Sequence, residues 1–270
     1  MHQLSRLRQL REIVLSPTAA SFCGEVALWE KKDCVLDVTV VIPCNEEIFV
    51  AQDAYSQAKE VHILSNGNQY TAVGTEKRFV VSWKGHAQTR KDAIAQIQSK
   101  YTFFSVQDAF PVGNMMLTLV EALEKNDWDI VLPRQIPWPD VRPRDRQRLE
   151  ASMPIAREPY RVPYADHVGA LYRTEDLHSW VLADVPIAED VWWSVGRTVY
   201  CMPTAKILHS HLPSPQDIFL RERETHIQLH TLGLLSPPKL FNGFSAICTQ
   251  KNKKEIAAEV LGQIWGWWKR

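Results

Sequence analysis

Residues 38–43 read Val-Thr-Val-Val-Ile-Pro. A β-branched run this short, apolar on both faces, is too brief for a helix of normal length and fits the central strand of a parallel sheet covered on both sides. A polar, helix-like stretch from Glu47 to Lys59 follows, then a second strand from Val61 to Leu64 that ends in Ser65-Asn66-Gly67-Asn68. A third strand over Arg78 to Ser82, a helix from about Ala87 to Lys100 and a fourth strand up to Val106 complete a second unit. Two β-α-β units in succession imply an α/β fold: right-handed crossovers, a mostly parallel central sheet flanked by helices, and ligands bound at the carboxyl ends of the strands. The loops after Pro43, Leu64, Ser82 and Val106 should therefore face one crevice.

Farther along, apolar periodicity predicts a helix from Met115 to Lys125 and a strand from Asp129 to Pro133. The segment 134–148 holds three prolines and five arginines just after Pro133, a composition that predicts an irregular basic loop. The stretch from Tyr164 to Tyr172 reads as extended, short helices begin near Thr174 and Asp190, and a last strand spans Thr204 to His211. At the start, Leu4, Leu7, Leu10, Ile13 and Val14 alternate with Arg6, Arg8 and Arg11, an amphipathic helix over residues 3–15. At the end, Lys251, Lys253 and Lys254 precede Ile264, Trp265, Trp267, Trp268, Lys269 and Arg270. A basic face opposite an aromatic one has the composition of an interfacial membrane anchor, and equally of a terminal helix that docks its tryptophans on the domain. The division expected is a lead-in at 1–37, a main domain at 38–225 and a helical extension at 226–270.

Composition excludes some partners. Thirty-one Lys and Arg balance thirty-one Asp and Glu, leaving no global positive field to drive binding to nucleic acid. Five scattered cysteines without a C-x-x-C pair, and no N-x-S/T sequon, suit a reducing compartment and predict a cytoplasmic protein. No continuous apolar core of a signal peptide opens the chain, and no apolar run approaches the ~20 residues that span a bilayer.

Three familiar chemistries lack their motifs: G-x-G-x-x-G after a strand, G-x-x-x-x-G-K-[ST], and G-x-S-x-G are all missing. Polar residues at strand ends remain. Asp108, flanked by Gln107 and Ala109, follows the fourth strand; Glu189-Asp190 heads a tryptophan-rich stretch; His209 and His211 stand at the end of the last strand. An aspartate and a histidine meeting at strand termini can hold a divalent cation that neutralises a diphosphate, and a second carboxylate can serve as general base toward a hydroxyl. The plainer alternatives are a turn or cap residue for Asp108, a helix N-terminal cap for Glu189-Asp190, and surface or core positions for the histidines.

Taken in order, the first strand with Pro43, the strand ending Ser-Asn-Gly, the tract Gly85-His-Ala-Gln-Thr-Arg-Lys-Asp-Ala-Ile94, then Gln107-Asp-Ala-Phe-Pro111, Arg134-Gln-Ile-Pro137, the doublet Glu189-Asp190 and His209-Ser-His211 resemble a GT-A glycosyltransferase of family 2, in particular its bacterial rhamnosyltransferase-like branch. The resemblance covers about residues 38–225. It implies that Asp108 belongs to a metal site completed by His209 or His211, and that Asp190, beside Glu189, is the catalytic base. It also implies donor binding by Pro43, Asn45, Glu46, Asn66, Arg90, Gln107, Asp108, Arg134 and Gln135, with Mg²⁺ or Mn²⁺ as cofactor. The activity implied is inverting transfer of a hexose or deoxyhexose from a nucleoside-diphosphate donor to a lipid-linked or polysaccharide acceptor. Its setting would be bacterial surface glycan assembly (O-antigen or capsule), with a peripheral contact at the inner membrane through the C-terminal tail. Two other readings stand beside it: a non-catalytic GT-A-like binding or scaffold domain, and a nucleotidyltransferase.

Overall fold

The computed structural model describes residues 35–44, 55–66, 76–81, 85–138, 141–185, 188–209, 215–233 and 261. The helix expected at 3–15, the residues Asn45, Glu46 and His211, and the tail from Lys251 to Arg270 apart from Leu261 lie outside the described residues.

Among the described residues nine strands form one sheet in the order β3-β2-β1-β4-β8-β6-β9-β5, with β7 also paired to β9. These are β1 (Leu36–Cys44), β2 (Ala58–Asn66), β3 (Glu76–Val81), β4 (Tyr101–Ser105), β5 (Phe110–Val112), β6 (Ile130–Ile136), β7 (Tyr160–Val162), β8 (Gly169–Arg173) and β9 (Val199–Leu208). Strands β1, β2, β3, β4, β6 and β9 all run one way, while β8, inserted between β4 and β6, and the short β5 and β7 run against them. The helices are α1 (His86–Ile94), α2 (Met115–Lys125), α3 (Pro143–Ser152), α4 (Thr174–Ser179), α5 (Glu189–Ser194) and α6 (Pro215–Thr231).

Alternation along the strands divides the core into two layers. Val38, Val40 and Ile42 of β1 and Phe103 of β4 pack with Met115, Leu119 and Leu123 of α2. Their neighbours Val41 and Phe104 point the other way, toward Ala93 and Ile94 of α1, Leu177 of α4 and Trp193 of α5. Both faces are thus covered, which is why the strands read as apolar runs.

The structure corrects several boundaries. Strand β2 starts at Ala58, so Ala58 and Lys59, expected to be helical, are extended; Leu36 pairs with Ala58, and the Lys59 ammonium meets Asp37 at 2.9 Å. Helix α1 ends at Ile94 rather than Lys100. There the chain turns into β4, held by Ser99 Oγ donating to Thr39 Oγ1 at 2.8 Å and by the Lys100 amide donating to Asp37 Oδ2 at 3.1 Å. The largest correction concerns 134–148, expected to be irregular. Strand β6 continues to Ile136 and Pro143 opens α3, because a proline at the first helical position gives up only an N–H that has no intrahelical partner. Strand β9 is continuous through Pro203; the register with β6 shifts between Pro133 and Arg134, a bulge that accommodates a residue with no N–H to donate. The boundary expected at residue 225 falls inside α6.

Where β8 crosses β6 the backbone approach is tight. A Cβ on Gly169 would stand 2.7 Å from Cγ of Pro133, a rigid ring that cannot swing aside. Gly169→Ala is expected to destabilise the fold by about 1–3 kcal/mol, read as a lower urea midpoint with unchanged slope.

Candidate active site

The parallel strands bring their carboxyl ends to one edge of the sheet, and the site is built there. Pro43 and Asn66 lie at this edge, Pro43 opposite Leu64 across β1 and β2, and Asn66 opposite Val81 of β3. Asp108 lies in the turn between β4 and β5, with Gln107 partly buried beside it. Because β5 pairs with β9 in the register Phe110 to Leu208, that turn is drawn against the residue just past β9, His209. Asp108 Oδ1 and His209 Nε2 are 3.8 Å apart, although the two residues are 101 positions apart in sequence. Tyr55 holds the same turn: its hydroxyl donates to the Ala109 carbonyl at 3.2 Å and lies 2.9 Å from Ser105 Oγ.

His209 is 4% exposed and is tied to β6 twice. Its backbone N–H donates to Ile136 O at 3.0 Å, and its Nδ1 lies 3.1 Å from Gln135 Oε1. The amide nitrogen of Gln135 in turn donates to Asp166 Oδ2 at 2.6 Å, and Asp166 Oδ1 accepts from the Val168 N–H at 3.0 Å. The next residue, His167, gives its backbone N–H to Asp190 Oδ2 at 3.2 Å. A polar chain therefore runs from Asp108 to Asp190: His209, Gln135 and Asp166 are linked side chain to side chain, Asp108 stands 3.8 Å from His209 at one end, and Asp166 reaches Asp190 at the other through the backbone of its neighbour His167.

Asp190 and Glu189 open α5, and their environments push them apart. The Asp190 carboxylate also accepts from the Val191 N–H at 2.8 Å, yet burial and the nearby Glu189 and Asp166 carboxylates raise its pKa to about 7. Burial works against the ionised form of Glu189 as well, but the hydrogen bond from His167 and the Arg90 guanidinium prevail and hold its pKa at about 2. Arg90 comes from α1 and makes a buried ion pair with Glu189, while His167 Nδ1 lies 3.3 Å from the same carboxylate oxygen. Burial keeps His167 neutral, with a pKa lowered to about 4. A neutral ring that donates from Nδ1 to Glu189 accepts at Nε2, where the Tyr172 hydroxyl stands 2.9 Å away.

Immediately before the doublet, Ala188 has φ 61°, the left-handed region that favours glycine. Such strain in a non-glycine residue costs about 1–3 kcal/mol and concentrates at functional sites. Beyond this turn Glu189 faces inward to Arg90, while Asp190 accepts from the His167 and Val191 N–H groups.

The residues singled out from the sequence that lie among the described ones can now be placed. Asp108, His209 and Gln135 come together, and Asp190 is linked to them by way of Asp166 and the His167 N–H. Glu189 and Arg90 form the buried pair behind Asp190, and the Arg90 guanidinium, on a residue 2% exposed, faces Glu189. Arg134 turns away, its Nε donating to the Met153 carbonyl at 3.2 Å. Sequence reasoning missed Asp166, His167, Tyr55 and Ala188. The polar Asp166-His167 pair just ahead of a strand was the one available signal; the others act through contacts made only on folding.

Asp108 and His209 offer a carboxylate oxygen, which suits Mg²⁺ or Mn²⁺, and an imidazole nitrogen, which suits divalent ions softer than Mg²⁺. Among the described residues no group of three or more His, Cys, Asp and Glu side chains is placed to hold a metal ion. A cation on this pair would complete its shell with phosphate oxygens, water or ligands outside those residues.

No family model and no curated protein matches this sequence. Solved structures do resemble it. The mannosyltransferase PcManGT from Pyrobaculum calidifontis, in complex with GDP-Man and Mn²⁺, superposes with a TM-score of 0.50 at 16% identity, over 96% of this chain and 83% of its own. The chain has the GT-A fold. A mycobacterial protein matches at TM-score 0.50 and 14% identity, over 74% of this chain and 76% of its own. GalNAc-T7 with UDP, GalNAc and Mn²⁺ matches at TM-score 0.48 and 13% identity over 84% of this chain, which spans 57% of the GalNAc-T7 chain. Identities this low speak to the fold. In this GT-A sheet the Asp108–His209 pair and the Asp190 carboxylate occupy the strand-end edge where α/β sheets bind ligands.

Proposed function

We propose that this protein is an inverting glycosyltransferase that moves a hexose or deoxyhexose from a nucleoside-diphosphate donor to a hydroxyl of a lipid-linked or polysaccharide acceptor. The observation that carries this reading is the polar chain at the strand-end edge. It joins a pair suited to a cation, Asp108 and His209, to a carboxylate whose pKa is about 7, near the value that serves a general base at neutral pH. The presence of GDP-Man and Mn²⁺ in a mannosyltransferase of the same fold supports a nucleotide-sugar donor and a divalent cation.

Asp108 and His209 would hold the cation, whose charge offsets the negative charge on the diphosphate leaving group. Asp190 accepts the proton of the acceptor hydroxyl as its oxygen attacks the anomeric carbon. The bond from that carbon to the diphosphate oxygen breaks on the opposite face, and the configuration inverts. Arg90 neutralises Glu189, so that of the adjacent acids only Asp190 is left to exchange a proton near neutral pH. Gln107, Pro43 and Asn66, with Asn45 and Glu46, are assigned to the donor side. Membership of family 2 and its rhamnosyltransferase-like branch, and a role in O-antigen or capsule assembly, rest on the order of the sequence tracts. A cytoplasmic location fits the cysteine usage, and a peripheral membrane contact fits the Trp-Lys-Arg tail; no helix among the described residues is long and apolar enough to cross a membrane.

A donor-hydrolysis screen tests the reading. Purified protein with Mg²⁺ or Mn²⁺ and a panel of nucleotide sugars should release nucleoside diphosphate slowly from one donor, and Asp108→Ala should abolish that release. No release, together with no nucleotide binding by calorimetry, would instead make the protein a non-catalytic GT-A domain.

A further inference from the structure

Gln135 sits between two groups that leave its amide one orientation. The Asp166 carboxylate, 2.6 Å from the amide nitrogen, can only accept hydrogen bonds when ionised, so the NH₂ of Gln135 must face it. The amide oxygen is then turned to His209, 3.1 Å from Nδ1. An oxygen acceptor at that distance requires a proton on Nδ1, whether or not Nε2 also carries one. In the neutral ring the lone pair is therefore on Nε2, the nitrogen that lies 3.8 Å from Asp108.

We propose that Gln135 is a positioning residue. Gripped by Asp166, its amide oxygen holds the His209 ring with the proton on Nδ1 and presents Nε2, beside Asp108, as a ligand nitrogen. The use of that nitrogen for a divalent cation rests on the glycosyltransferase reading above. A carboxylate that orients a metal-ligating histidine through a hydrogen bond is a recurrent arrangement; here one amide is interposed, which lets Asp166 act from β8's approach while the histidine stands just past the end of β9. The burial of the amide strengthens the constraint. Gln135 is 5% exposed and its backbone N–H donates to Met153 Sδ at 3.2 Å, so neither the side chain nor the strand beneath it is at liberty to turn.

The test reads the ring directly. Long-range proton–nitrogen spectra of the nitrogen-labelled full chain, recorded at about pH 8 where an ordinary imidazole is neutral, report which ring nitrogen carries the proton; His209 is assigned by the loss of its signals in His209→Gln. The wild type should show His209 with the proton on Nδ1, the minor form of a free side chain in water. Gln135→Met, similar in shape but with no oxygen to accept, should shift the ring to the Nε2-protonated form. It should also weaken Mn²⁺ binding, titrated alone and followed by electron paramagnetic resonance, by about 10–100-fold. Asp166→Asn, a milder change at a partly exposed residue, should yield a mixture of the two ring forms, and it serves if Gln135→Met folds poorly.

The proposal is overturned if the wild-type ring carries its proton on Nε2, or if both variants keep it on Nδ1. A ring that responds as expected in a protein that binds no Mn²⁺, even with a nucleoside diphosphate present, upholds the hold of Gln135 on His209. That result would remove the cation from the functional reading instead.

Discussion

Asp190→Asn is expected to lower glycosyl transfer by about 10²–10⁴-fold, the usual contribution of a general base, with little change in donor affinity. The side chain keeps its size and one acceptor for the two N–H groups of His167 and Val191, so the fold should survive the change. A helix-capping role alone would produce no such loss. The pH dependence gives a second signature. With its pKa at about 7, Asp190 must lose a proton to act, so wild-type turnover should fall about tenfold per unit below pH 7. Stability should follow the opposite course. The folded-state pKa lies above the ordinary value of 3.8, so between the two the folded chain binds the extra proton. The stability contributed by this group is full below 3.8 and is lost as the pH rises through 7. His167, held at about 4 against its ordinary 6.5, gives both proteins an opposite slope below 6.5, so the Asp190 slope should appear in the difference between thermal melts of wild type and Asp190→Asn across that range.

Arg90→Met should be the most destabilising change in the site, by about 3–5 kcal/mol, because it strands the Glu189 carboxylate in the interior without its cation. Arg90→Met/Glu189→Gln should recover much of that loss, since a neutral amide has no charge to compensate. The linkage again fixes a sign. Glu189 titrates at about 2 in the folded chain, below its ordinary 4.5, so the stability it contributes in the wild type is present above 4.5 and is lost as the pH falls toward 2. Without Arg90 the buried carboxylate prefers its proton, so the gap between wild type and Arg90→Met should be widest near pH 8 and narrow in acid. A gap independent of pH would assign the effect of Arg90 to packing against Phe104, whose ring centroid lies 5.8 Å from the guanidinium carbon.

The parts of this fold that were legible in the sequence are those whose local pattern and final environment agree. Helix α2 occupies the span its periodicity predicts, and β1 and β4 coincide with apolar runs because both faces of each are covered. Helix α3 was not legible, since proline at its first position reads as a breaker until the helix start is known. The short strands β5 and β7 carry too few residues for a period and exist because β9 offers them a partner. The site divides along similar lines. Asp108, His209 and Asp190 stand out as polar residues at the ends of apolar elements. The inward pairing of Glu189 with Arg90 could not be read, because an acid doublet ahead of a helix looks the same whichever acid is turned inward, and the left-handed residue just before the doublet is an alanine.

The strand order also bears on synthesis and assembly. Strands β1 to β4 are complete by residue 105, but β6 and β9 reach the sheet only across β8, which is translated between them. Asp108 is made early and meets His209 only when β9, the last strand of the sheet, has docked and taken β5 along its edge. A nascent chain stopped just short of β9 has most of its core but not the Asp108–His209 pair, so that pairing is a property of the finished sheet.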